Sequence, residues 1–469
     1  MRVSVRAARR HLAKCSDLMC EINASDARRG AWRDAFGGAF SQRRWAGVDT
    51  DIVRRVREEW EHVRKDIHMH PELGGEEERT SKLVQARLEE FGMDEIRTGI
   101  GGHGLVGTIK GTQAASEDDP AARRQIGIRA DMDCLPMDEA NDFPHRSRVP
   151  GRFHGCGHDG HTTVLLAAAE YISKRRESFA GTVHFIFQPA EENYAGAKLM
   201  IEDGLLRTHT LCDEIYGIHN WPYPEVPPGR ISVRSGAIMA SCDEFRIVIK
   251  GEGGHAAMPH LTVDPITIGS QLVSTLQTVV SRTGDPLHPV VLSITKFTAG
   301  SAYNVIPNTA ELCGTVRAFR EDDRGRVQAQ LERMSQSVCM ASNATATVEY
   351  FRGYPPTVNS KVHAAHAQKA AELAFGLENV ITDCDPSLAA EDFSYMLDQV
   401  GGAYAWVGAA SPGKLHEVNF DFDDAIIPVT VQYFANLVKL RLTASSAPDD
   451  EKPNAQSSSS SSSSSAAAR

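Results

Sequence analysis

The chain has 469 residues, of which 41% are hydrophobic and 24% are charged, and its formal net charge at pH 7 is -11. This composition is typical of a soluble globular protein with two or three domains and a sizeable core. The negative charge argues against nucleic acid as a partner, because phosphate binding needs concentrated lysine and arginine. No apolar run approaches the ~18 residues of a spanning helix, so we expect no membrane segment.

The two ends of the chain differ from the rest. Residues 1–45 begin with an arginine-rich stretch without acids, which is typical of a transit segment, but acids follow from Asp17 onwards. Targeting to a plastid or mitochondrion and plain disorder in a cytoplasmic protein therefore both stay open. Residues 444–469 contain an unbroken serine run from Ser457 to Ser465, which predicts a disordered tail. Nine scattered cysteines without a CxxC pair favour a reducing compartment.

Between these ends, helical and strand patterns alternate. Apolar residues at helical spacing predict helices at 51–68, 77–91 and 162–174. Short β-type runs predict strands at 104–110, 125–130, 181–187 and 214–218. After residue 350 the pattern resumes, with helices at 362–375, 391–399 and 429–440 and a strand at 403–408. This alternation indicates an α/β domain with a doubly wound, mostly parallel sheet.

Residues 241–350 show a different pattern. They alternate as strand, helix, two strands, helix and strand, at 244–250, 265–281, 289–297, 310–320, 324–341 and 345–351. This β-α-β-β-α-β order is typical of ferredoxin-like α+β domains. We therefore predict an α/β domain in two pieces, 46–240 and 351–443, with a small domain inserted at 241–350.

The segment from His154 to Thr162 concentrates metal-binding chemistry, because it holds three histidines, a cysteine and an aspartate separated by glycines. Cys156 and His158, two residues apart, can reach one divalent ion or two adjacent ions if the backbone is tight. Glycine permits such a backbone. The alternative is a solvated histidine-rich loop with a buried free cysteine.

Three further segments bring possible ligands to one edge of the predicted sheet. Glu191 and Glu192 follow the third predicted strand, His219 ends the fourth, and His416 follows the strand near residue 408. Ligands gather at the carboxyl ends of strands in open α/β sheets, so we expect these side chains to converge. Each also has a structural explanation, since acids favour a helix start and a single strand-end histidine is usually structural.

Asp131 and Asp133 close another strand at the same edge. We assign them to orienting a ligating imidazole. Capping or turn formation explains them equally well.

Eight segments, in order, resemble those of the di-metal aminoacylase/carboxypeptidase-type amidohydrolases, in the branch of the auxin-conjugate (IAA-amino acid) hydrolases and hippurate hydrolases. They extend from about residue 52 to 440 and read DIHMHPELGGEE, RADMDCLPM, HGCGHDGHT, QPAEEN, GIHN, GGHAAMPH, AYNVIPNTAEL and LHEVNF. The resemblance implies a zinc-peptidase-like catalytic domain. It also implies that the inserted region is a lid and dimerisation domain, and hence a possible homodimer.

The resemblance further implies two divalent metal ions per subunit, with Glu191 as the general base and Asp159 as a supporting residue that fixes the turn. The implied ligands are Cys156, His158, Glu192, His219 and His416. Zinc is favoured by the softness of a thiolate with three imidazoles. The resemblance points equally to manganese, and cobalt or nickel also fits.

In the inserted region, the resemblance implies that His255 holds the carbonyl oxygen of the substrate. Asn304 and Arg317 are candidates for binding its carboxylate, since a guanidinium binds that group bidentately. For Arg317, an exposed strand arginine is an equal alternative.

These features together predict a metal-dependent amidohydrolase in which a metal-activated water attacks the amide of an N-acyl or N-aroyl amino acid. Auxin conjugates and hippurate-like compounds are the expected small-molecule substrates. The alternative within the class is a deacetylase of N-acetyl-amino acids or N-acetyl-diaminopimelate. An alternative of another class is a non-catalytic metal-binding homologue.

Overall fold

The computed structural model describes residues 47–116 and 118–444. The predictions for residues 1–45 and for the serine-rich tail lie outside the described residues. Within the described part of the chain, no helix is long and apolar enough to cross a membrane.

The larger of two main sheets has eight strands. Its four central strands run parallel to one another, and antiparallel pairings join the outer strands to them. Across the sheet, the strands lie in the order Glu95–Ile100, Gly104–Lys110, Thr182–Gln188, Gln125–Asp131, Glu214–Trp221, Gly402–Gly408, Ile231–Ser232 and Val380–Ile381. The prediction of a mostly parallel α/β sheet is confirmed.

The central strands are buried on both faces, because helices cover both faces of the sheet. Successive strand residues enter opposite apolar clusters, as Ala405 and Trp406 do. The first cluster contains side chains of the helices Thr50–Arg55, Glu61–Met69, Glu78–Glu90, His158–Ser173, Lys361–Phe375 and Ile427–Leu442. The short helix Pro120–Arg123 contacts the last of these helices. The second lies against the helices Gly196–Glu202 and Ser394–Val400.

The smaller sheet has four antiparallel strands in the order Val290–Ala299, Thr309–Ala318, Asp243–Lys250 and Thr345–Arg352. The helices Pro265–Ser281 and Glu321–Met340 pack on it and share its apolar core. Asp264 caps the first helix, since its side chain accepts a hydrogen bond from Ile266 N at 2.9 Å. The ferredoxin-like α+β character is therefore confirmed, whereas 241–350 as the extent of an inserted domain stays a prediction.

The remaining elements are short. Two two-stranded pairs join Gly236–Met239 to Thr357–Asn359 and Gly254–His255 to Val305–Ile306. The single turns of π or 3-10 helix are Val56–Trp60, Arg176–Ser178, Leu205–His209, Pro259–Leu261, Leu377–Asn379 and Asp424–Ile426.

Some predicted boundaries were wrong. The helix expected at 162–174 begins four residues earlier, at His158, because Gly157 turns the chain directly into it. The helix expected at 391–399 begins only at Ser394, because Glu391 and Asp392 bind a buried arginine before the first turn. The strand Glu95–Ile100 was not predicted, because its residues are mostly exposed and polar.

Candidate metal and catalytic site

The histidine-rich segment is a loop that turns sharply into a helix. Gly157 has a left-handed backbone, with φ of 97°, and the helix His158–Ser173 begins at the next residue. A Cβ atom at position 157 would lie 2.3 Å from Asn220 Oδ1, so only glycine fits this turn. The turn holds the side chains of Cys156 and His158 in the buried space above the sheet edge.

The thiol of Cys156 lies between two groups of potential metal ligands. Its Sγ atom is 3.4 Å from His219 Nε2 and 3.3 Å from His416 Nε2. Cys156, His158 and His219 form one group, and Cys156, Glu192 and His416 form the other, with ligand atoms within 4.8 Å of one another in each group. A thiolate shared in this way could contact two adjacent cations.

Both buried imidazoles of the first group present Nε2 to this space. His158 donates from Nδ1 to Asp133 Oδ1 at 3.1 Å, and His219 donates from Nδ1 to the carbonyl of Asn220 at 2.6 Å. An imidazole that donates from Nδ1 keeps Nε2 available as a metal ligand.

Two buried atoms in the cluster have no hydrogen-bond partner, His158 Nε2 and Glu192 Oε1, which are 3.9 Å apart. Buried polar atoms are normally paired. One divalent cation in each ligand group would satisfy both atoms, so the residues present fit a metal centre.

His416 reaches the cluster from a separate loop. Its φ of 64° is left-handed, which is uncommon for a residue with a side chain. Its backbone N donates to the carbonyl of Gly155 at 2.8 Å, which joins this loop to the Cys156 loop. His416 Nε2 lies 3.5 Å from Glu192 Oε1, and the outer face of its side chain is exposed. His416 therefore closes the solvent side of the cluster.

Asp133 supports two candidate ligands at once. Besides the His158 ring, it accepts a hydrogen bond from Glu192 N at 3.0 Å. Burial lowers the pKa of His158, but the carboxylates of Asp131 and Asp133 outweigh burial and raise this pKa to about 10. The surrounding carboxylates therefore favour positive charge at this point, whether from a proton or from a metal ion.

Asp131 and Asp159 lie on different sides of the cluster. Asp131 accepts from His161 Nδ1 at 2.6 Å and from the Arg129 guanidinium at 2.6 Å. Asp159 points away from the ligand atoms, and accepts from His68 Nδ1 at 2.8 Å. Its side chain therefore anchors the start of the helix rather than a ligand ring.

Glu191 and Glu192, although adjacent, have opposite electrostatic environments. Burial and the nearby carboxylates of Glu391 and Glu192 raise the pKa of Glu191 well above the usual carboxyl range. Burial also acts to raise the pKa of Glu192, but the neighbouring imidazoles of His416 and His158 lower it overall. Opposite directions of this kind separate a proton carrier from a charged ligand.

The backbone around Glu191 is held from two sides. The hydroxyl of Tyr354 donates to the carbonyl of Glu191. Asp392 N donates to Glu191 Oε1 at 3.3 Å. The carboxyl group is therefore fixed beside the ligand cluster.

The candidate substrate-binding residues lie on the smaller sheet and near the two-stranded pair Gly254–His255 and Val305–Ile306, here called the His255 pair. His255 is exposed, pairs with Val305, and accepts a hydrogen bond from Ala257 N at 3.1 Å. Asn304 adjoins it, since Ala256 N donates to the Asn304 carbonyl at 3.0 Å. None of the described contacts joins either residue to the Cys156 cluster.

Arg317 lies elsewhere on the same sheet. It pairs with Val291 near one end of the strand Thr309–Ala318. Thr309, at the other end of that strand, pairs with Lys250 and lies three residues after the His255 pair. Eight residues of strand span roughly 27 Å. Arg317 and Asn304 therefore do not lie together within one chain.

An ion network beneath the site was missed by the sequence analysis. The fully buried Arg129 contacts Asp131 at 2.6 Å and both Glu391 and Asp392 at 3.0 Å. A charged residue inside the apolar strand Gln125–Asp131 was the available signal, because a buried guanidinium requires acidic partners.

Comparison with known proteins identifies the family. Residues 127–440 match the sequence model of peptidase family M20/M25/M40. The chain belongs to this family.

Several relatives of known name extend over most of the chain. It is 38% identical to N-acetylcysteine deacetylase of Bacillus subtilis, over 81% of this chain and 96% of the relative. It is 36% identical to hippurate hydrolase of Campylobacter jejuni, over 81% and 95%. It is 35% identical to IAA-amino acid hydrolase ILR1-like 4 of Arabidopsis thaliana, over 84% and 88%. The predicted family and the predicted class, a metal-dependent amidohydrolase, are confirmed.

A solved structure agrees with this assignment. The YXEP protein of Bacillus subtilis, described as a dinuclear metal binding peptidase from the M20 family, superposes with a TM-score of 0.71 at 34% identity. The match covers 82% of this chain and 98% of that chain.

The Gly157 turn generates a prediction. In the G157A variant, the added Cβ would displace Asn220 and the turn, so we expect metal content after reconstitution to fall below half that of wild type. G151A is the matched control, because Gly151 also has a positive φ, of 73°, but nothing lies within 4 Å of its added Cβ. Metal analysis of the folded proteins measures the effect, and wild-type metal content in G157A would contradict it.

Proposed function

We propose that this chain hydrolyses the amide bond of N-acyl or N-aroyl amino acids at a centre of two divalent metal ions. The ions would be held by Cys156, His158, Glu192, His219 and His416. The position of the Cys156 thiol between two ligand groups supports the proposal most directly. The names of the relatives agree with it, since hippurate, IAA-amino acids and N-acetylcysteine are all N-acylated amino acids or conjugates.

Metal ions bound there would supply the positive charge that polarises an amide carbonyl and lowers the pKa of water. The thiolate and three imidazoles favour zinc by softness, whereas the resemblance of the motifs favours manganese. We propose either ion as the native metal, and cobalt or nickel as functional replacements.

Glu191 would take the proton from the attacking water and return it to the leaving amine. Its buried position and raised pKa suit a carboxyl group that must hold a proton for part of the cycle. Asp392 N would hold one oxygen of its carboxyl group, and Tyr354 would hold its backbone carbonyl. Glu192, whose pKa is lowered, would stay charged as a ligand.

His255 would stabilise the negative charge that develops on the carbonyl oxygen during attack. Asn304, beside the same two-stranded pair, would bind the substrate carboxylate, and Arg317 is the second candidate for that group. The roles of His255 and Asn304 require the His255 pair to approach the metal centre.

We also propose a homodimer formed through the smaller sheet and the His255 pair. Four large apolar side chains near His255 are exposed, namely Met258, Leu261, Tyr303 and Val305. A cluster of exposed apolar side chains is typical of an interaction site. The strand Val290–Ala299 also lies at an edge of its sheet, with one side unpaired within the described chain.

The alternative substrate class is the N-acetyl-amino acids, including N-acetyl-diaminopimelate, and the 38% identity to N-acetylcysteine deacetylase favours it specifically. Initial rates on hippurate, indole-3-acetyl-alanine, N-acetylcysteine and N-acetyl-diaminopimelate would distinguish the classes. Two bound ions without turnover on any of the four would instead favour a non-catalytic metal-binding protein.

The proposed base generates a prediction. E191Q should keep both metal ions but lose turnover by about 10²–10⁴-fold, because an amide cannot accept the proton of water. The matched control is E202Q, since Glu202 is an exposed helical glutamate distant from the ligands. Metal analysis and hippurate hydrolysis measure the two effects. Substantial residual activity in E191Q would exclude Glu191 as the base.

The proposed dimer generates a prediction about the oligomeric state. L261D places a charge in the exposed apolar cluster, so we expect it to convert a dimer into a monomer in sedimentation velocity at micromolar concentration. L287D is the control, because Leu287 is even more exposed than Leu261, at 83% against 65%, but precedes the strand Val290–Ala299 at the end of the sheet remote from His255. A monomeric wild-type protein would contradict the proposed assembly.

A further inference from the structure

The turn that presents Glu191 and Glu192 has an unfavourable backbone. Ala190 has a left-handed conformation, with φ of 55°, although it carries a side chain and is buried. Such a conformation persists only where the surrounding structure fixes it. The strand Thr182–Gln188 ends two residues before, so this turn sets the direction in which both glutamates leave the sheet.

A buried carboxyl group holds this turn. Glu77 is fully buried, and its Oε1 accepts a hydrogen bond from Ala190 N at 2.7 Å. Its second oxygen, Oε2, is buried without a partner. Without Glu77, the N–H of Ala190 would lose the acceptor that the structure gives it, and buried N–H groups are rarely left unpaired.

The loop that carries Glu77 is itself rigid. The carboxylate of Glu72 accepts hydrogen bonds from the backbone N of Arg79 and Thr80, each at 2.8 Å. Cys134 N donates to the carbonyl of Glu72 at 2.9 Å, which ties the loop to the segment after the strand Gln125–Asp131. Glu77 therefore acts from a fixed position.

The loop also packs directly on the turn. A Cβ atom at Gly74 would lie 3.0 Å from Ala190 Cα and 3.3 Å from Asp133 Oδ2, so glycine allows this close approach. Asp133 in turn accepts from Glu192 N at 3.0 Å. Glu77 and Asp133 thus hold the backbone amides on either side of Glu191.

We propose that Glu77 is a positioning residue that holds the Ala190 turn and thereby aims Glu191 and Glu192 at the metal centre. The proposal rests on the function proposed above for these two glutamates. Glu77 ends the first of the family-like segments, DIHMHPELGGEE, and its side chain accepts from the Ala190 backbone rather than from a candidate metal ligand.

The test compares E77A with E77Q. E77A removes the acceptor of the Ala190 N–H, so exchange of backbone amide hydrogens in the peptide around residues 189–193 should accelerate at least tenfold. A small misplacement of a reacting group can cost about 10²-fold in rate, so kcat on hippurate should fall by about 10–100-fold, with KM changed less than threefold. E77Q keeps a carbonyl oxygen that can accept the same hydrogen bond, and should restore both readouts to near the wild-type values.

Two further variants separate positioning from general destabilisation. L442A removes a fully buried side chain beside Gly181, at the opposite end of the strand Thr182–Gln188 from Ala190, so its kcat should stay within threefold of wild type even if its melting temperature falls. In E77A/A190G, glycine adopts the left-handed conformation without the Glu77 contact. This double variant should therefore recover at least a third of the kcat that E77A loses.

The proposal is overturned if E77A has wild-type amide exchange and wild-type kcat, if E77Q is as impaired as E77A, or if L442A loses as much kcat as E77A. A wild-type protein that hydrolyses no acyl-amino acid would instead refute the proposed function. The exchange measurement would still decide whether Glu77 holds the turn.

Discussion

The shared position of the Cys156 thiol is the constraint on which the site depends. It requires His219 and His416, from two distant parts of the chain, to approach one sulfur atom within 3.4 and 3.3 Å. Only the left-handed turn at Gly157 brings the thiol to that point while the next residue begins a helix. The parallel strands Glu214–Trp221 and Gly402–Gly408 pair side by side; the first contains His219 and the second leads towards His416. The fold thus serves to converge ligands that are far apart in sequence.

The charges around this thiol form a connected system. Asp133 joins the His158 ring to the backbone of Glu192, and Asp131 joins His161 to the buried guanidinium of Arg129. The excess of carboxylates raises the pKa of His158, and with burial it raises that of Glu191. A bound cation would relieve the same excess. Metal binding and the protonation of Glu191, the proposed base, would therefore be coupled through one set of acidic groups.

Much of this arrangement was predictable from the sequence, and the failures have physical causes. Strand ends in an α/β sheet predict convergence, so Cys156, Glu192, His219 and His416 could be grouped from their positions along the chain alone. The helix start at His158 was placed four residues too late, because glycine and histidine are weak helix formers and Gly157 has no side chain to cap the helix. The roles of Arg129 and Glu77 were missed, because Asp392, which binds Arg129, and Ala190, which binds Glu77, each lie more than 100 residues away along the chain. The sequence did not show that Arg317 and Asn304 lie far apart. Arg317 is near one end of the strand Thr309–Ala318, whereas Asn304 is beside the His255 pair at the other end.

The most direct test of the central claim is anomalous diffraction from crystals of the zinc- or manganese-loaded protein. We expect two anomalous peaks on opposite sides of Cys156 Sγ, each roughly 2.3 Å from the sulfur atom if the metal is zinc. One peak should adjoin His158 and His219, and the other Glu192 and His416. A single peak, or peaks that do not adjoin the Cys156 sulfur, would contradict the account.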